Sequence, residues 1–310
     1  MPGLSVVLAA KFNDSYHRVG HGLAAGLAGL GCRVRRVDLR TKPWQRWLGA
    51  DLGARLRRAA AGADLILSYK AAELTPAVIA NVRPATRARW VNWFPDSPHL
   101  LDTALANSAG YDHCFLFDSY LVGRLRAAGR RADFLPLGFD PEFYTPVPVS
   151  GPPIPIVFVG SAEPLRDAAL AKLDGLGLEV WGPGRPRGPL FGKRLVTTYC
   201  RAEIALNIHQ FFGEPADLGR YGTGANQRVF ELAGIGAPQL CDAKADIAAS
   251  FEEDREIVLF RTPDELREKA LRLLADHQWR ARLAAGARAR AVAQHTWQHR
   301  LAELFERVFG

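Results

Sequence analysis

Short apolar runs, each followed by a helix-length amphipathic segment, recur in two series and restrict the folds open to this chain. Residues 5–10, 32–39, 64–69, 89–94, 113–117 and 132–136 form the first series. Most are rich in β-branched and aromatic residues. They lack the apolar–polar alternation of a half-exposed strand, as strands covered on both faces do. Helices are expected between them at 19–30 (ended by Gly31), 42–61, 75–82 and 119–128. Thr75 is placed to cap the third, with Pro76 at the first helical position, where a missing N–H matters least. Strand–helix alternation of this kind gives a parallel sheet wound with helices on both faces.

From Gly138 the composition changes. Pro141, Pro146, Pro148, Pro152, Pro153 and Pro155 crowd a stretch with few helix formers, which reads as a linker. A second series follows, with strands at 156–160, 178–181, 203–207, from Gln239, and at 256–260. Thr262-Pro263-Asp264-Glu265 has capping-box spacing and opens the first of three closing helices. The chain therefore divides into a domain over 1–148 and a second from 149, two doubly wound Rossmann-like α/β units facing across a cleft. Ligands of open α/β sheets sit beyond the carboxyl ends of the strands, so loops after strands are where chemistry belongs. The loop after the first strand has no G-x-G-x-x-G, and no dinucleotide site is expected there.

A chain of 310 residues, 48% of them hydrophobic, can core two such domains. It has no apolar run of about 18 residues, so no transmembrane helix is expected. The start, Met1-Pro2-Gly3-Leu4-Ser5, lacks a basic region, so no signal peptide is expected either. Cys32, Cys114, Cys200 and Cys241 are scattered without a C-x-x-C, which fits reduced thiols in a cytoplasmic protein rather than zinc ligands or disulfides. The net charge of +8 is mostly arginine. It suits anionic partners such as a nucleotide sugar or a phospholipid surface, or simply a solvated face. No basic block interleaved with aromatics marks a nucleic-acid face.

The chemistry concentrates in 222–242, GTGANQRVFELAGIGAPQLCD. A glycine-bearing polar loop runs into a short apolar helix. Its unpaired N–H groups and the helix dipole favour an anion such as a phosphate. Arg228 offers a fixed, permanently charged fork, and Asn226 an amide beside it. Glu231 is the one carboxylate in the apolar half and needs donors, either the hydroxyls of a ribose or a structural arginine.

Asn226-Gln227-Arg228-Val229-Phe230-Glu231-Leu232-Ala233-Gly234-Ile235-Gly236-Ala237 resembles the donor-site segment of GT-B glycosyltransferases, the CgeB-like spore-maturation group in particular. Trp93-Phe94-Pro95-Asp96-Ser97-Pro98-His99, Leu135-Pro136-Leu137-Gly138-Phe139-Asp140, Asn207-Ile208-His209 and His295-Thr296-Trp297-Gln298-His299-Arg300 agree with it. The resemblance runs from about residue 90 onward. It implies a GT-B fold, a donor domain over 149–295, and a last helix, 296–310, that crosses back onto the first domain. It implies transfer of a hexosyl group from a nucleotide sugar, a UDP-sugar foremost, to an acceptor it does not name. The chain departs from it at Thr223, where many retaining enzymes carry a first glutamate eight positions before the second.

Candidate site residues follow. On the donor side they are Gly160, Ser161, Arg166, Trp181, Gly182, Asn207, His209, Asn226, Arg228 and Glu231. A glycine turn lets backbone N–H groups approach phosphate, and Trp181 could stack on a base, although each could equally be an ordinary turn with a packing side chain. On the acceptor side, Asp96 and His99 sit in a proline-bracketed loop that would fix their directions, and either suits a general base; Asp96 could instead cap the following helix. Asp14 and His17 are further base candidates, with Arg18 and Lys70 beside the acceptor. No Asp-x-Asp triplet is present to hold a divalent cation, so no metal and no cofactor beyond the nucleotide-sugar co-substrate is expected. Two other activities fit the same features: a nucleotide-sugar epimerase or hydrolase, and a non-catalytic donor-binding protein in coat or polysaccharide assembly.

Overall fold

Among the described residues, six parallel strands build one sheet and five the other. A computed structural model describes residues 3–13, 18–40, 51–210 and 217–310. The first sheet contains β1 (Ser5–Ala10), β2 (Arg33–Asp38), β3 (Leu65–Tyr69), β4 (Arg89–Phe94), β5 (His113–Leu116) and β6 (Ala132–Phe134), in the order β2-β1-β3-β4-β5-β6. The second contains β7 (Ile154–Val159), β8 (Leu178–Trp181), β9 (Ala202–Asn207), β10 (Gln239–Asp242) and β11 (Val258–Phe260), in the order β11-β10-β9-β7-β8. Strand order reverses between β1 and β3 in one sheet and between β7 and β9 in the other. The loops after these strands therefore flank the natural ligand crevice.

Helices α1 (Val19–Gly29), α2 (Leu52–Ala60), α3 (Pro76–Val82), α4 (Leu101–Ser108) and α5 (Ser119–Ala127) belong to the first series. The rest are α6 (Pro164–Ala171), α7 (Gly192–Cys200), α8 (Leu218–Tyr221), α9 (Gln227–Ile235), α10 (Pro263–Ala275), α11 (His277–Gln294) and α12 (Trp297–Phe309). β1 shows why the runs are continuously apolar. Val6 and Leu8 pack with Leu23 and Leu27 of α1, while Val7 and Ala9 pack with Leu56 of α2 and Ile79 of α3 on the other face. Each fully buried Val or Leu contributes about 1.5–3 kcal/mol.

The caps fall where their chemistry places them. Thr75 Oγ1 accepts from the Val78 N–H, with Pro76 at the first helical position. Thr262 Oγ1 accepts from the Glu265 N–H at 3.1 Å, and the Glu265 carboxylate reaches back to the Arg261 N–H at 2.7 Å. The helix expected at 42–61 is revised: Asp51 is extended and caps a helix that starts at Leu52, and 41–50 lie outside the described residues.

Two chain crossings run side by side. Phe139, beyond β6, donates its N–H to His295 O at 3.1 Å and accepts from the Trp297 N–H at 3.0 Å. Helix α12 then packs on α1 of the first sheet's layer. The Trp297 ring stands edge-on to Trp93 at 5.4 Å and to Tyr69 at 6.1 Å. This approach needs a glycine on α1, because a Cβ on Gly22 would lie 2.5 Å from the Trp297 ring. No helix among the described residues is long and apolar enough to cross a membrane.

Candidate functional site

A cleft of about 560 Å³ lies between the carboxyl ends of the two sheets. The wall from the second sheet's domain includes Gly160, Ser161, Gly182, Asn207, Asn226 and Arg228; the facing wall includes Tyr69, Lys70, Asp96, His99, Phe117 and Leu137.

Helix α9 starts at this cleft. Asn226 is its N-cap, with Oδ1 accepting from the Val229 N–H at 3.2 Å. The amide is held by Asn207 in a reciprocal pair, Asn226 Nδ2 to Asn207 Oδ1 at 3.1 Å and Asn207 Nδ2 to Asn226 Oδ1 at 3.0 Å. The Asn226 N–H donates to His209 Nε2 at 3.0 Å. That nitrogen therefore carries no proton, and the ring proton sits on Nδ1, which donates to Asp242 Oδ1 at 2.6 Å. Burial opposes charge on Asp242, but the His209 bonds and Lys244 outweigh it and hold the carboxyl below its usual range. Asn207, His209 and Asn226, all expected on the donor side, line the cleft, and their bonds to one another and to Asp242 build the start of α9. Among the described residues, the backbone N–H groups of Gln227 and Arg228 find no acceptor. They are the helix-terminal donors open to a ligand.

Arg228 and Glu231 do not stand apart. Arg228 Nη1 lies 3.0 Å from Glu231 Oε2, an ion pair without the alignment of a hydrogen bond. The Glu231 side chain has no exposed surface and does not reach the cleft, whereas Arg228 does, at 14% exposure. Burial opposes the charge on Arg228, yet Glu231 overrides it and raises the guanidinium pKa above its usual value. Burial and the same carboxylate push the Tyr144 hydroxyl up. The ribose role expected of Glu231 is therefore revised to that of a buried counter-charge which aims Arg228 at the cleft.

Arg166, also expected on the donor side, lines the same cleft. Arg166 is buried, with Nη1 donating to Ser161 O at 3.0 Å and Nη2 to Ile208 O at 2.8 Å. It braces the loop after β7 against the loop after β9, and burial lowers its pKa. Trp181 does not line the cleft. Its ring lies beneath the guanidinium of Arg187 at 5.3 Å and near that of Arg194 at 6.0 Å.

On the facing wall, Lys70 Nζ lies 2.6 Å from Asp96 Oδ1. Asp96 caps no helix; the 3-10 turn Pro98–Leu100 follows Ser97, without a side-chain cap bond. His99 sits at the same wall. Burial lowers its pKa, Asp96 pulls it up and Lys70 pushes it down, leaving it below the ordinary value. Arg18 lies at the start of α1, off the cleft wall, with its guanidinium 4.6 Å from the Phe143 ring centroid. Asp14 and His17 lie outside the described residues.

One residue escaped sequence reasoning. Asp118, between β5 and α5, accepts from the Thr223 N–H at 2.9 Å and the Gly224 N–H at 3.0 Å. Its sequence signal is only that of a helix cap, which it also is, toward the Leu121 N–H at 3.2 Å. A buried cluster, His209, Cys241 and Asp242, could offer ligand atoms to a metal, but His209 already uses both ring nitrogens.

Comparison with known proteins agrees with this fold. Residues 163–306 match the family model described as glycosyl transferase-like, somewhat under half of the chain. No curated protein shows significant sequence similarity to it. Among solved structures, sucrose-phosphate synthase from Thermosynechococcus elongatus superposes with a TM-score of 0.68 at 14% identity, covering 99% of both chains. Anabaena Alr3699/HepE in complex with UDP-glucose gives 0.64 at 14%, covering 98% of this chain and 100% of that one. AviGT4, a glycosyltransferase involved in avilamycin A biosynthesis, gives 0.65 at 18%, covering 98% and 96%. The fold is therefore GT-B: two parallel-sheet Rossmann-like α/β domains. The part of the chain that carries the glycosyl transferase-like match begins at the cap of α6 and ends within α12.

Proposed function

We propose that the protein transfers a hexosyl group from a nucleotide sugar, a UDP-sugar foremost, to a hydroxyl-bearing acceptor, and that it does so without a metal ion. The observation that carries this reading is the facing of two walls in one cleft: the N-terminus of α9 with Arg228, and Lys70, Asp96 and His99 opposite. The open N–H groups of Gln227 and Arg228, with the Arg228 guanidinium, would stabilise the charge that grows on the departing diphosphate. Asp96 or His99 would take the acceptor proton, with Lys70 fixing the Asp96 carboxylate. The absence of an Asp-x-Asp triplet from the sequence supports metal independence. HepE was crystallised with UDP-glucose and with UDP, which supports a uridine nucleotide as the first to test.

The CgeB-like resemblance of Asn226–Ala237 belongs to this proposal, as does a cytoplasmic site of action, which the unpaired thiols of Cys32, Cys114, Cys200 and Cys241 support. The net positive charge leaves room for peripheral contact with an anionic membrane at which a lipid-linked acceptor would be met.

Calorimetry with UDP, followed by turnover of UDP-glucose with and without a panel of saccharide, lipid-linked and protein acceptors, tests the reading. Acceptor-dependent release of UDP is the expected result. Equal turnover without acceptor would make the protein a hydrolase or epimerase, and tight binding with no turnover would make it a donor-binding protein.

A further inference from the structure

We propose that Asp118 is a positioning residue: from the first domain it fixes the donor loop 222–226 of the second and so couples donor binding to closure of the cleft. The inference rests on the glycosyl-transfer reading for the identity of the donor, and on geometry alone for the coupling.

Asp118 is 1% exposed. Its Oδ2 accepts the N–H groups of Thr223 and Gly224, at 2.9 and 3.0 Å. Its Oδ1 accepts the Leu121 N–H at 3.2 Å and the Thr223 hydroxyl at 3.1 Å. Three of these four donors come from the other domain. Among the described residues no lysine, arginine or histidine forms an ion pair with this carboxylate. A buried carboxylate without a counter-ion is tolerable only while its hydrogen bonds last. Separating the domains removes most of them, so loop order and closure are one equilibrium. A second contact runs in parallel: Asp246 accepts from the Ser119 N–H at 2.8 Å and the Ser119 hydroxyl at 2.7 Å.

The loop's glycines exist for this approach. Gly222 has φ +65°, and a Cβ there would lie 2.3 Å from Asp118 Oδ2 and 2.8 Å from Pro98. A Cβ on Gly224 would lie 2.6 Å from the Phe117 ring. Pro98 stands between Asp96 and His99 in the chain, so the loop is pressed onto the segment that carries the acceptor wall. Its far end is Asn226, the cap of α9. Thr223, which stands where related enzymes place a glutamate, has its hydroxyl committed to the opposite domain.

Asp118→Asn keeps volume and the α5 cap while weakening the two loop bonds. Thr223→Val removes the hydroxyl, and Thr223→Ser restores it. If donor binding and closure are coupled, saturating donor pulls the variant closed. The expected result for Asp118→Asn is a donor KM raised at least tenfold with kcat within about threefold of the parent. Thr223→Val should shift the same way and Thr223→Ser should not. A purely structural role would instead lower kcat at unchanged KM, and that result, or unchanged kinetics, would overturn the proposal. Amide hydrogen exchange of the ligand-free protein separates this from failure of the glycosyl-transfer reading. If no nucleotide sugar turns over in the parent, exchange at the bonded amides of Thr223, Gly224 and Asn226 must still rise at least tenfold in Asp118→Asn while β10 holds; equal exchange would refute the coupling.

Discussion

Lys70 reaches Asp96 from a backbone that ordinary side chains avoid. Lys70 has φ +66° and Ala71 φ +40°, and the Ala71 N–H closes a three-residue turn onto Tyr69 O at 2.9 Å. Non-glycine residues in this region cost on the order of 1–3 kcal/mol each and persist where the surroundings enforce them, often at working sites. Here the turn at the end of β3 delivers the ammonium to the carboxylate at 2.6 Å.

Asp96→Asn is expected to lower turnover about 10²–10⁴-fold, the usual contribution of a positioned base, with UDP affinity within about twofold of the parent. Lys70→Gly relieves the backbone and should melt no lower than the parent while losing turnover. Steady-state kinetics with calorimetry on both variants checks this; normal turnover in Asp96→Asn would transfer the role to His99.

If His99 is the base, it must be neutral to act. Its pKa is lowered by burial and by Lys70 against the pull of Asp96, so the acid limb of kcat/KM should fall below the ordinary histidine value of about 6.5. The profile should lose that limb in His99→Gln. An acid limb centred above pH 7 would exclude His99.

The Arg228–Glu231 pair sets stability and binding together. Glu231→Gln leaves Arg228 without its counter-charge, and Arg228→Ala leaves a buried carboxylate; each should cost about 3–5 kcal/mol of stability, read by denaturant melts. Arg228→Ala should also weaken UDP far more than uridine, because only the nucleotide carries phosphate. Glu231→Gln should weaken UDP more than uridine too, by loosening the aim of Arg228. Equal loss of both ligands in Glu231→Gln would return Glu231 to the ribose.

The alternating pattern announced both sheets because residues such as Val6 and Val7 must each find a covered face. Thr75, Thr262 and the 222–242 stretch were legible for a similar reason, since caps and glycine turns are local chemistry. What the sequence hid is pairing at long range. Nothing near Asp118 says that Thr223 is its partner, and nothing near His209 says that Asp242 and Asn226 will occupy its ring. Arg228 has its counter-charge in view three residues on, at Glu231, but nothing local shows that Ile208 O will occupy Arg166.

His295 predicts an acid-sensitive fold. Its Nδ1 faces an Arg300 N–H at 2.7 Å and its Nε2 donates to Ser250 O at 2.8 Å, so the folded ring is neutral. Burial first, then Arg300, lowers its pKa to about 4. The unfolded chain, with an ordinary value of about 6.5, binds the proton sooner. The stability this gives is present above about pH 6.5 and is lost as pH falls toward 4, about 3 kcal/mol in all. Denaturant melts between pH 7 and 4.5 should show the slope, and His295→Gln should flatten it.

Metal independence is tested in one comparison. Turnover in excess EDTA should equal turnover in Mg²⁺; a complete loss that Mg²⁺ reverses would refute it.

The seating of Trp297 between Gly22 and Trp93 has a consequence for biogenesis. The first Rossmann unit borrows a helix that follows the second unit in the chain, so during synthesis its Trp93 and Gly22 surface stays bare until residues 297–309 emerge. By then the whole second unit has been made. The two halves cannot mature one after the other as beads on a string; the first to be translated is the last to be finished.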